Sequence, residues 1–392
     1  MELKLRRDKL VLYIILLSIV FENQLFHIVK LDTIFFKIMT VFLIFCSLYN
    51  ISLSHKKIIS GIVKKYIIIS IIFIFALQST YSIIILDGKL YGFLAESMRY
   101  LYLFAIPSYI YILRNKSLRL IFFKSMKKII LIQYIISLIS IIILQKTGIN
   151  ITNRNFSLRS FGNINVSIYT DTIFIPLIMI FCLYQILISF KKEKYMNIAI
   201  VILGVLHSLL ITKSRAITLA FILTAFFMIL VSKKSKIFKF FILFFSIFFV
   251  LKNQIITKIF HLDKGEFASS NNGHLEAIKE SWEYFLSHPF LGGGLNLEWP
   301  VSYCDAGFIG LLANIGVGAI FFYLFPIIIV IIIALKRLRK KNQFILVTGY
   351  ICFLLLTSFT LIMTDDVRMY GYIFTISFLS VLVGKNMDKK IL

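Results

Sequence analysis

The chain is a succession of long apolar runs joined by short basic connections, broken once by a polar stretch at 252–304. A helix needs about 20 mostly apolar residues to cross a bilayer, because the hydrocarbon core is about 30 Å thick and leaves backbone polar groups no water to bond. Twelve runs read as spans: roughly 10–27, 34–53, 66–86, 98–113, 127–144, 166–190, 196–212, 215–231, 237–251, 306–334, 343–363 and 371–385. Apolar residues make up 59% of the chain and mean hydropathy is +0.90, against about 45–50% apolar in a soluble domain. The expected fold is an all-α integral membrane protein of about 12 transmembrane helices with one long extracytoplasmic loop containing a short amphipathic helix. Residues 1–251 would hold the first nine helices, 252–304 the loop, and 305–392 the last three helices and a cytoplasmic C-terminus. The first run is too long, and too far from any small-residue cleavage site, for a removable leader.

Charge orients this arrangement. The net charge is +25, and it is distributed by connection. The segments around 4–9, 56–65, 114–128, 191–194, 233–239, 336–341 and 385–390 hold 29 of the 43 Lys and Arg. Glu2, Asp8, Glu193 and Asp388 are the acids among them. Basic loops stay inside, so this set and both termini are expected in the cytoplasm of a bacterial plasma membrane. The excess charge then reports topology and contact with anionic membrane lipids, and nucleic acid is not an expected partner. Cys46, Cys182 and Cys352 fall in apolar runs and Cys304 at a loop end. No Cys-x-x-Cys spacing exists, so neither zinc nor a disulfide framework is indicated.

The remaining ionisable groups gather at the opposite side. Arg99, Arg159, Asp171, His207, Lys213, Arg215, Asp305, Asp365, Asp366 and Arg368 all lie at outer span ends or outer turns. Charges at such depths mark a pathway or a pair. Lys213 also suits snorkelling to headgroups, Asp365 and Asp366 a solvated turn, and Asp171 an assembly pair. Arg215 and Arg159 carry guanidinium forks matched to phosphate. An anion site at this level would meet a lipid phosphate or pyrophosphate.

The loop at 252–304 has its own periodicity. From Gly273 to His288 the spacing predicts a helix, with Leu275, Ile278, Trp282, Phe285 and Leu286 on one stripe. Glu276, Glu280 and Glu283 fall on an adjacent face. Asn271 or Asn272 can cap its start, and Pro289 stops it. So short and charged a helix is expected to lie along a membrane surface or roof a cavity. The acidic face reads either as solvated or as holding a carboxylate for proton transfer. Gly292-Gly293-Gly294 reads either as a turn or as close approach of backbone to a ligand. His288 reads either as structural or as an acid–base group. There is no P-loop and no nucleophile elbow.

Four segments, in order, resemble the bacterial O-antigen polymerase and O-antigen ligase superfamily, which includes the Wzy-type polysaccharide polymerases. Arg159-Ser160-Phe161-Gly162-Asn163-Ile164-Asn165 is similar to its Arg–Gly–Asn segment before a span. Thr212-Lys213-Ser214-Arg215-Ala216 resembles its Thr-x-Ser-Arg hairpin entry. Trp282 through His288-Pro289-Phe290-Leu291-Gly292-Gly293-Gly294 resembles its loop signature. Asp305-Ala306-Gly307-Phe308, followed by Gly316, resembles the segment that opens the next span. Ligases of the superfamily carry His-Asn where Asp305-Ala306 stand here, which favours a polymerase.

The resemblance implies a GT-C-like glycosyltransferase acting on the outer face of the plasma membrane. It would join undecaprenyl-pyrophosphate-linked oligosaccharide repeat units into a capsule, O-antigen or other exopolysaccharide. Arg215 and Arg159, helped by Arg99 and Arg368, would bind the pyrophosphate. Asp305 would take the acceptor proton or orient the sugar, with Glu280 and His288 as rivals. No metal or other cofactor is implied. A chain-length regulator and a flippase are the protein partners to expect. The alternatives are a ligase moving glycan to another acceptor and a transporter of lipid-linked oligosaccharide. The transporter reading needs polar groups along a path through the membrane, and here they concentrate near one face.

Overall fold

A computed structural model of the chain describes residues 9–16, 41–42, 45, 69–70, 72–85, 90, 105–147, 160–161, 164–165, 171–188, 193–206, 215–232, 265–295, 307–337, 341–358 and 369–382. The described residues form an all-α assembly with one two-residue ladder. In chain order its α-helices are α1 (Ile106–Arg114), α2 (Lys116–Thr147), α3 (Asp171–Leu187), α4 (Lys194–Leu206) and α5 (Arg215–Val231). They continue as α6 (Gly265–Ser287), α7 (Gly307–Ile315), α8 (Phe325–Arg337), α9 (Lys341–Ser358) and α10 (Met369–Leu382). Three segments are π-helical: π1 (Ile72–Gln78), π2 (Tyr81–Ile85) and π3 (Ile320–Leu324). The ladder pairs β1 (Ser160–Phe161) with β2 (Ile164–Asn165), antiparallel, Ser160 opposite Asn165.

Packing follows from the apolar composition. The most extensive helix contacts are α5 on α9, α3 on α4, α6 on α7 and α1 on α10. An aromatic cluster ties α2, α3, α9 and α10 together. Phe123 stacks on Phe181 at 3.8 Å between ring centroids, Phe122 on Phe374 at 5.6 Å, and Tyr350 meets Phe378 edge-on at 5.5 Å. Three buried tyrosines find backbone acceptors on neighbouring elements. Tyr350 donates to Leu177 O at 2.9 Å and Tyr323 to Leu354 O at 3.3 Å. Tyr372 donates to Phe322 O and Tyr323 O at 2.9 and 3.0 Å. Both of those carbonyls belong to π3, where the widened turn departs from the α ladder.

Two basic residues of the expected cytoplasmic set are buried. Asn115 breaks α1 from α2, and its side chain accepts from Ser117 N at 3.1 Å, a helix N-cap. Arg119 folds back to donate to Leu113 O at 2.8 Å, and burial pulls its pKa below the ordinary value. Lys127 is 1% exposed. Its ammonium donates to Gln185 Oε1 at 2.7 Å, Glu193 Oε2 at 3.0 Å and Asn197 Oδ1 at 2.6 Å. A lysine has three donors, and all three are used. This joins α2, α3 and α4 around the turn at Glu193, whose φ of 64° is one L side chains rarely adopt.

The expected span at 306–334 is two pieces. Phe308 and Tyr323 stand 5.7 Å apart, ring centroid to ring centroid. A continuous helix would separate them by about 22 Å. The chain instead reverses at Gly316, whose φ is +60° and whose amide donates to Leu312 O at 2.8 Å. Glycine in this left-handed conformation just past a helix is a common stop. The run at 66–86 is likewise π-helical over most of its described part. Among the described residues, no helix is long and apolar enough to cross a membrane.

Candidate active site

The site is built on the C-terminal end of α6. That helix begins at Gly265, not Gly273, so Asn271 and Asn272 lie inside it and do not cap it. No proline or strong breaker separates Gly265 from Gly273, and asparagine in a helix interior costs only a few tenths of a kcal/mol, about 0.7 at most. The C-terminal end agrees with expectation: the helix stops at Ser287, ahead of Pro289. Ala277 and Ser281 form its buried face. The apolar stripe read from the sequence is split. Phe285 packs partly on the core, whereas Leu275, Trp282 and Leu286 are exposed.

After Pro289 the chain makes a tightly held turn. Gly292 and Gly294 have φ of +64° and +78°. Gly293 N donates to Ala313 O at 2.9 Å and Gly294 N to Asn314 O at 3.0 Å, capping the last carbonyls of α7. Val317 N donates to Pro289 O at 2.8 Å. A Cβ on Gly292 would stand 2.5 Å from both Ala313 O and Asn314 O. The glycine run therefore brings backbone close to backbone, and the amides of Gly293 and Gly294 are spent on α7. Of the two readings of the glycine run, a turn or a close approach to a ligand, the structure shows a turn, and it joins α6 to α7.

The other side of the joint is held by π1 and π2. Gln78 Nε2 donates to Leu291 O at 3.1 Å, Tyr81 OH to Gly292 O at 3.0 Å, and Ser82 Oγ accepts from Leu295 N at 2.8 Å. Sequence reading missed these three residues, which sit in an apolar run with no motif around them. Their signal was the stretch Gln78-Ser79-Thr80-Tyr81-Ser82, five consecutive hydrogen-bonding side chains in a run otherwise rich in Ile.

Above the joint, Tyr284 and His288 stack at 4.7 Å with planes 20° apart. Partial burial and the neighbouring Tyr81 hydroxyl hold the Tyr284 phenol above its ordinary pKa. Ser287 Oγ donates to Tyr284 O at 2.8 Å and lies 2.9 Å from His288 Nδ1. A serine hydroxyl has one hydrogen. With it on Tyr284 O, the oxygen is free to accept from Nδ1–H. Glu280 precedes Tyr284 by one helical turn and His288 by two, so the three share one side of α6. Glu280 and His288 are both exposed.

The remaining expected site residues are placed only in part. Arg215 is the first residue of α5, and its side chain lies outside the described residues. Asp305, Arg159, Arg99 and Arg368 lie outside them altogether. Three of these border described elements: Asp305 precedes α7 by two residues, Arg159 precedes β1 and Arg368 precedes α10. Among the described residues, no group of His, Cys, Asp and Glu could hold a metal ion.

Residues 198–309 match the family model described as O-antigen ligase. The match takes in α5, α6, the glycine joint and the start of α7, and so three of the four segments singled out above. It supports the O-antigen ligase and polymerase superfamily. Comparison with curated proteins finds no match.

Proposed function

We propose that this protein is a membrane-embedded glycosyltransferase of the polymerase kind, joining lipid-linked oligosaccharide units on the outer face of the plasma membrane. The observation that carries the reading is the match over 198–309, which spans both the Arg215 segment and the α6 joint. It supports a role in polysaccharide assembly, and the residues supply the rest.

In the reaction, the anomeric carbon of the growing chain exchanges its bond to carrier pyrophosphate for one to an acceptor hydroxyl. The hydroxyl proton must leave, and the pyrophosphate must depart with its charge compensated. Arg215 and Arg159 provide that compensation, with Arg99 or Arg368 as helpers. Stabilising developing charge with preset cations is commonly the largest catalytic contribution. For the proton, the geometry at α6 supports His288, an exposed residue whose Nδ1 is engaged by Ser287 Oγ at 2.9 Å. Asp305 orients the acceptor sugar or shares the proton. The turn that ends α6 is bonded to the C-terminal end of α7, and the two helices pack on each other. Asp305 precedes α7 by two residues in sequence, which supports reading Asp305, Glu280 and His288 together.

Membrane insertion is supported by the outer faces of the helices. Phe325, Ile328, Ile332 and Leu335 form an exposed apolar stripe along α8, ending at the basic run 336–341. Leu219, Ile222, Phe227 and Leu230 do the same on α5. Contiguous apolar exposure of this extent needs an apolar neighbour.

A ligase is the second reading, favoured by the description of the matched family. Asp305-Ala306, where ligases carry His-Asn, weighs for the polymerase. Arg215→Ala in cells decides both points. The polymerase reading expects normal insertion with single repeat units in place of polymer, whereas the ligase reading expects long chains retained on the carrier. Polymer of normal length and destination would remove the pyrophosphate site.

A further inference from the structure

The exposed edge of α6 lacks a protein neighbour among the described residues. Leu275, Trp282 and Leu286 are 65%, 44% and 60% exposed, and Phe290, just past the helix, is 76% exposed. The spacing of seven and then four residues keeps the first three on one edge. Glu276, Glu280 and Glu283 are exposed beside them, so the helix has an apolar edge and an acidic face turned to water.

The edge does not end at Phe290. Pro289 O accepts from Val317 N at 2.8 Å, and the Phe290 carbonyl lies against Gly316. Val317 and Ile320 are exposed, and they lead directly into the apolar stripe of α8. Exposed apolar residues therefore occur on α6, on both sides of the joint at Phe290 and Val317, and along α8. The α8 stripe finishes at Lys336 and Arg337, at the opposite end of α8 from the joint. A stripe bounded by basic residues at one end and by an aromatic-bearing helix at the other has the layout of a bilayer-facing surface.

We propose that α6 is an interfacial helix: its Leu275–Trp282–Leu286 edge and Phe290 lie in the boundary between headgroups and acyl chains of the outer leaflet, in contact with phospholipid. This rests on the membrane placement proposed above and adds depth and orientation to it. The acidic face then points away from the lipid, and His288, just past the C-terminal end of the helix on the side it shares with Glu280 and Tyr284, faces the same way. The joint fixes this placement, because the turn that ends α6 is fastened by backbone hydrogen bonds to α7 and to Val317 just beyond it.

The chain has two tryptophans, Trp282 and Trp299. Trp299→Phe thus leaves Trp282 as the sole reporter. The full-length protein is reconstituted into phosphatidylcholine–phosphatidylglycerol vesicles, recovered by flotation, and its emission compared in plain and brominated lipids. Bromine in the upper acyl chain should about halve the Trp282 emission, bromine near the terminal methyl should quench it less, and aqueous iodide should quench it weakly. If Trp299→Phe does not fold, Trp282→Phe/Trp299→Phe/Phe290→Trp moves the reporter to the far end of the same edge, with the same expectation. Strong iodide quenching without bromolipid quenching would overturn the proposal, leaving the edge in water. Shielding from both quenchers would overturn it too, by showing a protein partner or a second copy. Flotation of the protein in either case keeps the membrane reading intact, and glycan joining by the variant is scored separately.

Discussion

A Cβ placed on Gly316 would collide with the carbonyl oxygen of Phe290, so the reversal after α7 and the end of α6 occupy one another's backbone space. Gly316→Ala meets both this contact and the strain of a φ of +60°. It is expected to destabilise the protein by about 3 kcal/mol, mostly from displaced backbone. Gly273, inside α6, has open space where a methyl group would go, with nothing within 4 Å. Gly273→Ala should stabilise by about 0.5–1 kcal/mol through helix propensity. Thermal unfolding of the two variants in detergent checks the contrast. Equal effects would mean the joint is not tight.

The buried Lys127 cluster predicts strong coupling. Lys127→Met leaves Glu193, Gln185 and Asn197 without their shared donor and should cost about 3 kcal/mol, as breaking one side of a buried pair does. Glu193→Gln keeps an acceptor and should cost less. A double-mutant cycle between the two should give a coupling of about 1 kcal/mol or more. Additivity would show that the ion pair contributes nothing.

Tyr81→Phe removes the donor to Gly292 O while keeping the ring. One such bond is worth about 1 kcal/mol. The expected result is a small fall in melting temperature with a larger fall in glycan-joining rate, because the turn it steadies carries His288. Rate and stability falling only in proportion would reduce Tyr81 to a structural contact.

The proton acceptor is separable by substitution. If His288 accepts the hydroxyl proton, His288→Ala should lower the rate by about 100-fold or more, and Ser287→Ala by far less. Glu280→Gln should then be nearly silent. A large loss in Glu280→Gln with activity kept in His288→Ala reverses the assignment. Both are measured as polymer formed from purified lipid-linked repeats.

Much of the helical layout was legible because apolar runs and Pro289 act locally. The end of α6 fell within one residue of its expected place. The reversal at Gly316 was not legible, because equally apolar residues lie on both sides and hydropathy is blind to direction. The left-handed Gly316 and the contact between Phe308 and Tyr323 reveal it. Lys127 read as one more basic loop residue, since its three acceptors come from positions 185–197 and no local pattern links them. The glycine run was recognised as backbone-approach chemistry, but its partner is α7 and not a ligand. The α6 candidates His288 and Glu280 could be placed, and the arginines were named from charge and motif alone.

The π-helical turn at 320–324 sets a rotational phase. A π turn amounts to one extra residue in an α-helix, and each residue turns a helix by about 100°. Everything downstream is therefore indexed to that surplus position. Excising Phe321 would restore regular pitch and swing the Phe325–Leu335 face roughly a quarter-turn or more away from its present side. Length and composition would hardly change, yet the exposed stripe would no longer face its present direction. In this region the chain tolerates a change of side chain more readily than a change of count.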